Sequence, residues 1–156
     1  MKNSKYYLSL ILSFIALSAS AEADENSKFL TFLEDEWQYE LRQSPVYATA
    51  MGVKGYETLW RDNSLEAIEA RRSHNKDTVE ALKGFEKENL SKANQLNLRL
   101  FTDLAKKEVE IDQFNRHLLP FNHRGGIQLA HEDAENLPFK NLQDYRSVSY
   151  THLRAH

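Results

Sequence analysis

The chain has 156 residues and, with 20 basic and 23 acidic side chains, a formal charge of -3 at pH 7. This balance argues against a nucleic-acid-binding protein, because such proteins carry a basic patch or stripe. The absence of cysteine excludes a disulfide framework, a thiolate zinc site and a lipid-bearing cysteine. A composition of 41% hydrophobic and 28% charged residues is that of an ordinary helical globular protein.

The first 21 residues have the order of a secretory signal peptide. Lys2 and Lys5 precede an apolar run over residues 6–17, and small residues end the segment at Ala19-Ser20-Ala21. A membrane anchor is the alternative, but a span needs about 20 apolar residues and this run is shorter and interrupted by serines. We therefore predict cleavage after Ala21, export to the periplasm or the medium of a bacterium, and no stable membrane anchor.

Two helices are predicted to follow the signal peptide. The first starts at Ser27 and stops before Pro45, whose ring disfavours a helical conformation at Ser44. Ser44 and Pro45 then begin a short second helix as cap and first residue, and Gly52 closes it in a left-handed conformation. The apolar face of the first helix contains Phe29, Leu30, Phe32, Leu33, Trp37 and Leu41.

The segment from Val53 to Asn63 has no helical or strand periodicity and is predicted to be irregular. Tyr56, Leu59 and Trp60 are spaced along it. We expect these side chains to anchor the loop onto the core, which is a more common role for such aromatics than a ligand cage.

Residues 64–114 predict a helical hairpin around which the rest of the fold is organised. Ser64 and Ser91 each precede an amphipathic run, where a serine hydroxyl can cap the first turn. The break at Glu88–Ser91 is short, so the two helices should be antiparallel. We therefore predict an all-α fold, a hairpin with additional packed helices. The predicted buried face consists of Leu65, Ile68, Val79, Leu82, Phe85, Ala93, Leu96, Leu100, Leu104, Ile111 and Phe114.

After the hairpin, residues 117–126 contain helix-breaking residues, two histidines and a glycine pair, and they predict a structured loop. Short helical or extended pieces are expected at residues 127–131, and a new helix near Asn141. No stretch alternates over enough residues to require a strand.

His131-Glu132 is the start of a zinc-protease motif, which needs a second histidine one helical turn later. Glu135 occupies that position, so a solvated acidic turn is the better interpretation. His117, His123 and His131 could converge on a metal, although a loop histidine more often caps a helix or pairs with a carboxylate. The residues alone therefore predict no catalytic, cofactor-binding or metal-ligating side chain.

The segment Asn122-His123-Arg124-Gly125-Gly126 has donors that could hold a carboxylate or a phosphate. It lacks phosphate-loop spacing, and a turn that needs positive φ is the default interpretation. The charged residues of the helices are expected to be solvated, with local ion pairs. This solvated set comprises Glu34, Asp35, Glu36, Glu40, Glu66, Glu69, Arg71 and Arg72.

Several phrases, in this order and spacing, resemble the opening of the bacterial family known as domain of unknown function 885. The resemblance spans roughly residues 28–145. It rests on Phe32-Leu33-Glu34-Asp35-Glu36-Trp37, Ser44-Pro45, Ala48-Thr49-Ala50-Met51-Gly52, Tyr56, Leu118-Leu119-Pro120-Phe121-Asn122, Gly125-Gly126 and Leu142-Gln143-Asp144-Tyr145.

Members of that family are long, mostly helical, often exported proteins that look like zinc-dependent peptidases. Their His-Glu metal motif lies far downstream of the region matched here. The resemblance implies that the hairpin belongs to a helical scaffold around a substrate channel. It implies a zinc ion and a peptide substrate for the full-length protein only, and no cofactor for this part. Candidate channel-lining residues are His117, Asn122, His123 and Arg124.

The last residues depart from the family pattern. Residues 148–156 resemble one reading frame of a transposon-end adapter used to prepare sequencing libraries, and the alternative is a genuine His-rich terminus. We therefore expect three parts: a signal peptide at 1–21, an incomplete N-terminal helical domain at 22–146, and a non-native tail at 147–156. The middle part has 17 basic and 23 acidic residues, a formal charge of -6.

Two functions follow as expectations. The first is an N-terminal scaffold fragment of an exported metal-dependent peptidase, inactive alone because its metal ligands lie elsewhere. The second is a non-catalytic periplasmic helical module that binds peptides or a protein partner. The sequence does not predict an oligomeric state.

Overall fold

A computed structural model describes the backbone of residues 4–118, 137 and 140–147, with side chains from residue 24 onward. Its α-helices are α1 (Ser4–Gln43), α2 (Pro45–Ala50), α3 (Leu65–Leu82), α4 (Lys92–Asp112) and α5 (142–147). Single 3-10 turns lie at Lys87–Asn89 and Arg116–Leu118. This part of the chain contains no strand, so the predicted all-α fold is confirmed.

The helices form two compact units. The first combines Met1–Glu34 with Arg72–Ile111, and the second combines Asp35–Arg71 with Asp112–His156. Because α1 and α3 each cross the boundary, the two ends of each helix contribute to different units.

The core of the first unit is built around Phe29, which is 0% exposed. The Phe85 ring lies 5.2 Å from the Phe29 ring, in an edge-to-face arrangement, and 5.4 Å from the Phe32 ring. Such aromatic contacts add to the stabilisation that burial alone provides. The buried cluster consists of Phe29, Leu82, Leu90, Leu98 and Ala105, with Phe32, Leu33, Val79, Phe85 and Phe101 packed against it.

Helices α1 and α4 run parallel within the first unit. Asn94, in the first turn of α4, donates from its side-chain amide to Asn26 Oδ1 at 2.7 Å. Further along both helices, the Phe32 and Phe101 rings lie 6.1 Å apart. Contacts that advance in the same direction on both helices define a parallel pair.

Two of the predicted serine caps, Ser64 and Ser91, are confirmed. Ser64 Oγ accepts from the Ala67 N–H at 3.2 Å, and Ser91 Oγ accepts from the Asn94 N–H at 3.3 Å. Each bond satisfies a donor in the first helical turn that has no partner within the helix.

The predicted break between the two hairpin helices was wrong in its position and length. Helix α3 already ends at Leu82, so the connection covers residues 83–91 and includes a 3-10 turn. Gly84 has low helix propensity, and Phe85 follows it to pack against α1. The hairpin itself is present, since the end of α3 and the beginning of α4 contribute to one buried cluster.

Helix α1 begins at Ser4 and not at the predicted Ser27. The apolar run that predicts a signal peptide is rich in leucine, which is a good helix former. The prediction of a signal peptide cleaved after Ala21 therefore stays a prediction.

In the second unit, Ser44 separates α1 from α2, and Pro45 is the first residue of α2 as predicted. Gly52 then closes α2 with φ of 79°. Its N–H donates to the Thr49 carbonyl at 2.9 Å, and the next N–H, of Val53, donates to the Ala48 carbonyl at 3.0 Å. This pair of bonds is the Schellman motif.

Ser44 does not cap α2 with its side chain. Its hydroxyl donates to Glu40 Oε1, one turn back on α1, at 2.7 Å. Because Pro45 lacks an N–H, the first turn of α2 has one fewer unpaired amide donor.

The predicted anchoring of the loop at residues 53–63 was wrong for Leu59 and Trp60, which are both exposed, while Tyr56 is half-buried. Arg71 holds the loop instead: its guanidinium donates to the Asp62 carbonyl oxygen at 2.8 Å. The prediction of a solvated Arg71 is corrected accordingly, because the side chain is half-buried and also donates to Gln43 at 3.4 Å.

The predicted helix near Asn141 is confirmed as α5. Asn141 Oδ1 accepts from the N–H groups of Gln143 and Asp144 at 2.8 and 3.0 Å. In return, Asp144 Oδ2 accepts from the Lys140 N–H at 3.0 Å. Asp144 also pairs with Lys54 at 3.4 Å, which links α5 to the loop after α2.

Candidate functional site

Three leucines on α4, in the first unit, form a row of exposed apolar side chains. Leu96, Leu100 and Leu104 are 47%, 50% and 61% exposed. They recur every four residues, so they lie on one side of the helix. We call these three side chains the leucine face.

The leucine face was predicted to be buried, and this prediction was wrong. The core contains Leu98 and Ala105 instead, with Asn94 also buried. Leu98 is two residues from both Leu96 and Leu100, about 200° around the helix. Helix α4 therefore has apolar residues on two opposite sides, and periodicity alone cannot decide which side the core covers.

The hairpin ends earlier in the structure than the predicted residue 114. Helix α4 ends at Asp112, and Phe114 is exposed beyond it. Leu65, at the beginning of α3, is exposed as well. These residues lie outside the buried cluster of the first unit.

The leucine face carries no chemically reactive group. Its three side chains are aliphatic, so they have no group that could transfer a proton, attack a substrate or coordinate a metal. What they can do is exclude water when another apolar surface covers them.

The predicted channel-lining residues are only partly within the described structure. His117 lies in the 3-10 turn Arg116–Leu118 and is half-buried. Asn122, His123 and Arg124 lie outside the described residues, as do His131 and Glu132. A channel lining and a convergence of histidines both stay predictions.

Among the residues whose side chains are described, no group of three or more His, Asp or Glu residues is arranged to hold a metal ion. Glu34, Asp35 and Glu40 are exposed and Glu36 is half-buried, as expected for a largely solvated helix face. Glu40 is the acceptor of the Ser44 hydroxyl.

Two carboxylates in the second unit have a lowered pKa. The Ser64 N–H donates to Asp62 at 2.8 Å and lowers the pKa of that carboxyl. The Lys140 N–H lowers the pKa of Asp144 in the same way, with a further contribution from Lys54. A donor held against a carboxylate favours its charged form. Both groups act at the beginnings of helices, so their role is structural.

Burial shifts two further groups in the second unit. It raises the pKa of the Tyr39 hydroxyl and lowers the pKa of Arg71. Desolvation disfavours the charged form of either group. Arginine stays protonated under all ordinary conditions, so Arg71 remains a cation that holds the loop.

Among the described residues, no helix combines the length and the apolar character needed to cross a membrane. Comparison with protein-family models, with curated proteins and with solved structures gave no match. The leucine face, whose three side chains are exposed on one side of α4, is the candidate functional site.

Proposed function

We propose that this chain is a helical scaffold segment of an exported protein, and that its leucine face packs against a further helical part of the same protein. The observation that carries the proposal is the two-sided character of α4. One side holds Leu98 in the core, and the opposite side presents Leu96, Leu100 and Leu104 to solvent.

The energetics favour a covered leucine face. Complete burial of a leucine side chain contributes about 1.5–3 kcal/mol, so covering three half-exposed leucines contributes on the order of 3 kcal/mol in total. That is a large fraction of the 5–15 kcal/mol, roughly, by which a domain is stable. A helix with apolar residues on two opposite sides buries both of them only when an element packs against each side.

The nature of the larger protein is proposed from the sequence resemblance. In this proposal it is a metal-dependent peptidase, and its zinc ligands and general base lie in a later part of the natural chain. A bound zinc ion would supply an activated water for hydrolysis of a peptide. The present segment would then support the walls of the substrate channel and have no activity alone.

A non-catalytic periplasmic module is the second candidate. The leucine face favours it equally, because three aliphatic side chains without acid–base groups are suited to binding an apolar helix of a partner. The two candidates differ in the sequence that the natural gene encodes after the scaffold.

Reading the uninterrupted genomic locus through codon 148 separates these candidates. We expect the natural reading frame to leave the tail sequence after residue 146 or 147 and to encode, further on, a helix with the pattern His-Glu-x-x-x-His. A continuation that lacks such a helix would favour the binding module. A gene that ends naturally after His156 and encodes an active, stable hydrolase would overturn the proposal.

A further inference from the structure

The second unit presents two aromatic rings that form a corner open to solvent. Trp37 on α1 and Tyr47 on α2 have ring centroids 6.2 Å apart and ring planes at 84° to each other. Both side chains are exposed, Trp37 by 37% and Tyr47 by 46%. Their mutual contact therefore leaves part of each ring accessible to a ligand.

The backbone around the corner is held in place on both sides. Leu41, one turn after Trp37, is 1% exposed and fixes that part of α1. Pro45 and Ala48 are buried on either side of Tyr47 and fix α2. The corner is thus presented by two ordered helices, which reduces the conformational entropy lost when a ligand binds.

A carboxylate accompanies the corner. Glu40 is three residues after Trp37, so the two side chains are neighbours on the surface of α1. The Ser44 hydroxyl donates to Glu40 Oε1 at 2.7 Å and orients the carboxylate. Glu40 forms no ion pair with a basic side chain of the described part of the chain.

The charge around the corner selects the sign of the ligand. The exposed carboxylate of Glu40 lies one turn after Trp37. Aromatic faces attract cations, with tryptophan the most effective ring, and a nearby carboxylate adds a direct Coulomb attraction.

We propose that Trp37, Tyr47 and Glu40 form a recognition site for the cationic side chain of a lysine in a polypeptide ligand. This site goes beyond the proposed scaffold function and does not depend on it, because it uses the second unit and not the leucine face. The exposed position predicts weak binding by a single side chain, with a Kd of roughly 6–35 mM, from two exposed cation–π contacts and one exposed ion pair.

The test is an NMR titration of the full 156-residue chain, labelled with ¹⁵N, with tri-lysine amide. The chain has two tryptophans, Trp37 and Trp60, so its two indole N–H signals report on the site and on an exposed control position. Trp60→Phe assigns the signals. Tri-lysine amide with all amines acetylated is the matched ligand control, because it keeps the chain length and removes the charge.

We expect a saturable shift of the Trp37 indole signal, little change at Trp60, and no shift with the acetylated peptide. Trp37→Leu should abolish saturable binding of the peptide, which is measured in this variant by the shifts of backbone amide signals. Glu40→Gln should raise the Kd at least threefold. Unchanged far-ultraviolet circular dichroism would show that both variants are folded. Equal shifts at Trp37 and Trp60, an unchanged Kd in Glu40→Gln, or no shift up to about 100 mM peptide would overturn the proposal.

Discussion

Asn94 on α4 donates from its side-chain amide to Asn26 Oδ1 on α1 at 2.7 Å, and Asn94 is buried. The same Asn26 oxygen accepts from the Ser91 N–H at 3.1 Å. One amide oxygen on α1 therefore accepts from two donors at the start of α4. A buried polar contact of this kind fixes how two helices align, because any other alignment leaves its donors without partners.

Asn26→Ala should lower the free energy of unfolding by about 1–3 kcal/mol, because it leaves the Ser91 and Asn94 donors without their acceptor. Urea unfolding of the full chain, followed by circular dichroism, measures the change. Asn63→Ala is the matched control: Asn63 is exposed, and its replacement should change stability by less than about 0.5 kcal/mol. Equal effects at the two positions would contradict a role for Asn26 in alignment.

Phe29→Ala should be among the most destabilising single replacements in the first unit, by about 3–5 kcal/mol. Phe29 is completely buried and its ring contacts Phe85. Leu30→Ala, at the adjacent exposed position, should cost less than about 1 kcal/mol. If thermal unfolding shows that both variants lose a similar amount of stability, Phe29 is not at the centre of the core.

Replacement of Leu96, Leu100 and Leu104 together by glutamine should leave the free energy of unfolding nearly unchanged, because their side chains are half-exposed. It should reduce self-association, since exposed apolar patches promote aggregation. Light scattering after size-exclusion chromatography measures the second effect. Leu98→Ala on the opposite side should instead cost about 2–5 kcal/mol. A triple variant that unfolds would show that the leucine face belongs to the core.

Gly52→Ala should lower stability by about 1 kcal/mol, because Gly52 has φ of 79° and a left-handed conformation is unfavourable for a residue with a Cβ. The cost comes from the backbone alone, since no atom lies within 4 Å of the position of an added Cβ. Gly52→Asn should lower stability less than Gly52→Ala does, because asparagine tolerates the left-handed conformation better than alanine. Equal losses in the two variants would argue against the Schellman motif.

Acid should weaken the beginnings of α3 and α5. The pKa values of Asp62 and Asp144 are lowered from 3.8 in the folded chain. Their contribution to stability is therefore present above that value and is lost as the pH falls through the lower folded pKa. The double variant Asp62→Asn, Asp144→Asn should be less stable than the parent chain at pH 6. The difference in free energy of unfolding between the variant and the parent chain should become smaller below pH 3.8. Urea unfolding at a series of pH values measures it. A difference that does not change with pH would exclude the two carboxylates as its source.

The sequence predicted those parts of the fold that depend on local chemistry. Ser64 and Ser91 cap helices, Pro45 begins one and Gly52 ends one, because hydrogen-bond donors, ring closure and the absence of a Cβ act within a few residues. The apolar face of α1 was predictable only in part: Phe29 and Leu41 are buried, whereas Leu30 and Trp37, predicted on the same face, are exposed.

The sequence could not predict which side of α4 faces the core. Its leucines satisfy the helical period on both sides, and the choice depends on distant partners, the Phe32 ring and the Asn26 amide. Arg71 was mispredicted for a similar reason, because its acceptors on Gln43 and Asp62 are brought near only by the fold. Of the candidate channel-lining residues, only His117 lies within the described structure, and its role stays a prediction.

The central claim, that another part of the natural protein covers the leucine face, is tested most directly by thiol labelling at Leu100. The chain has no cysteine, so Leu100→Cys introduces a single reactive thiol. Maleimide labelling should be rapid in the 156-residue chain and at least about tenfold slower in the product of the uninterrupted gene, because burial restricts access to a thiol. Equal labelling rates in the two proteins would contradict the claim.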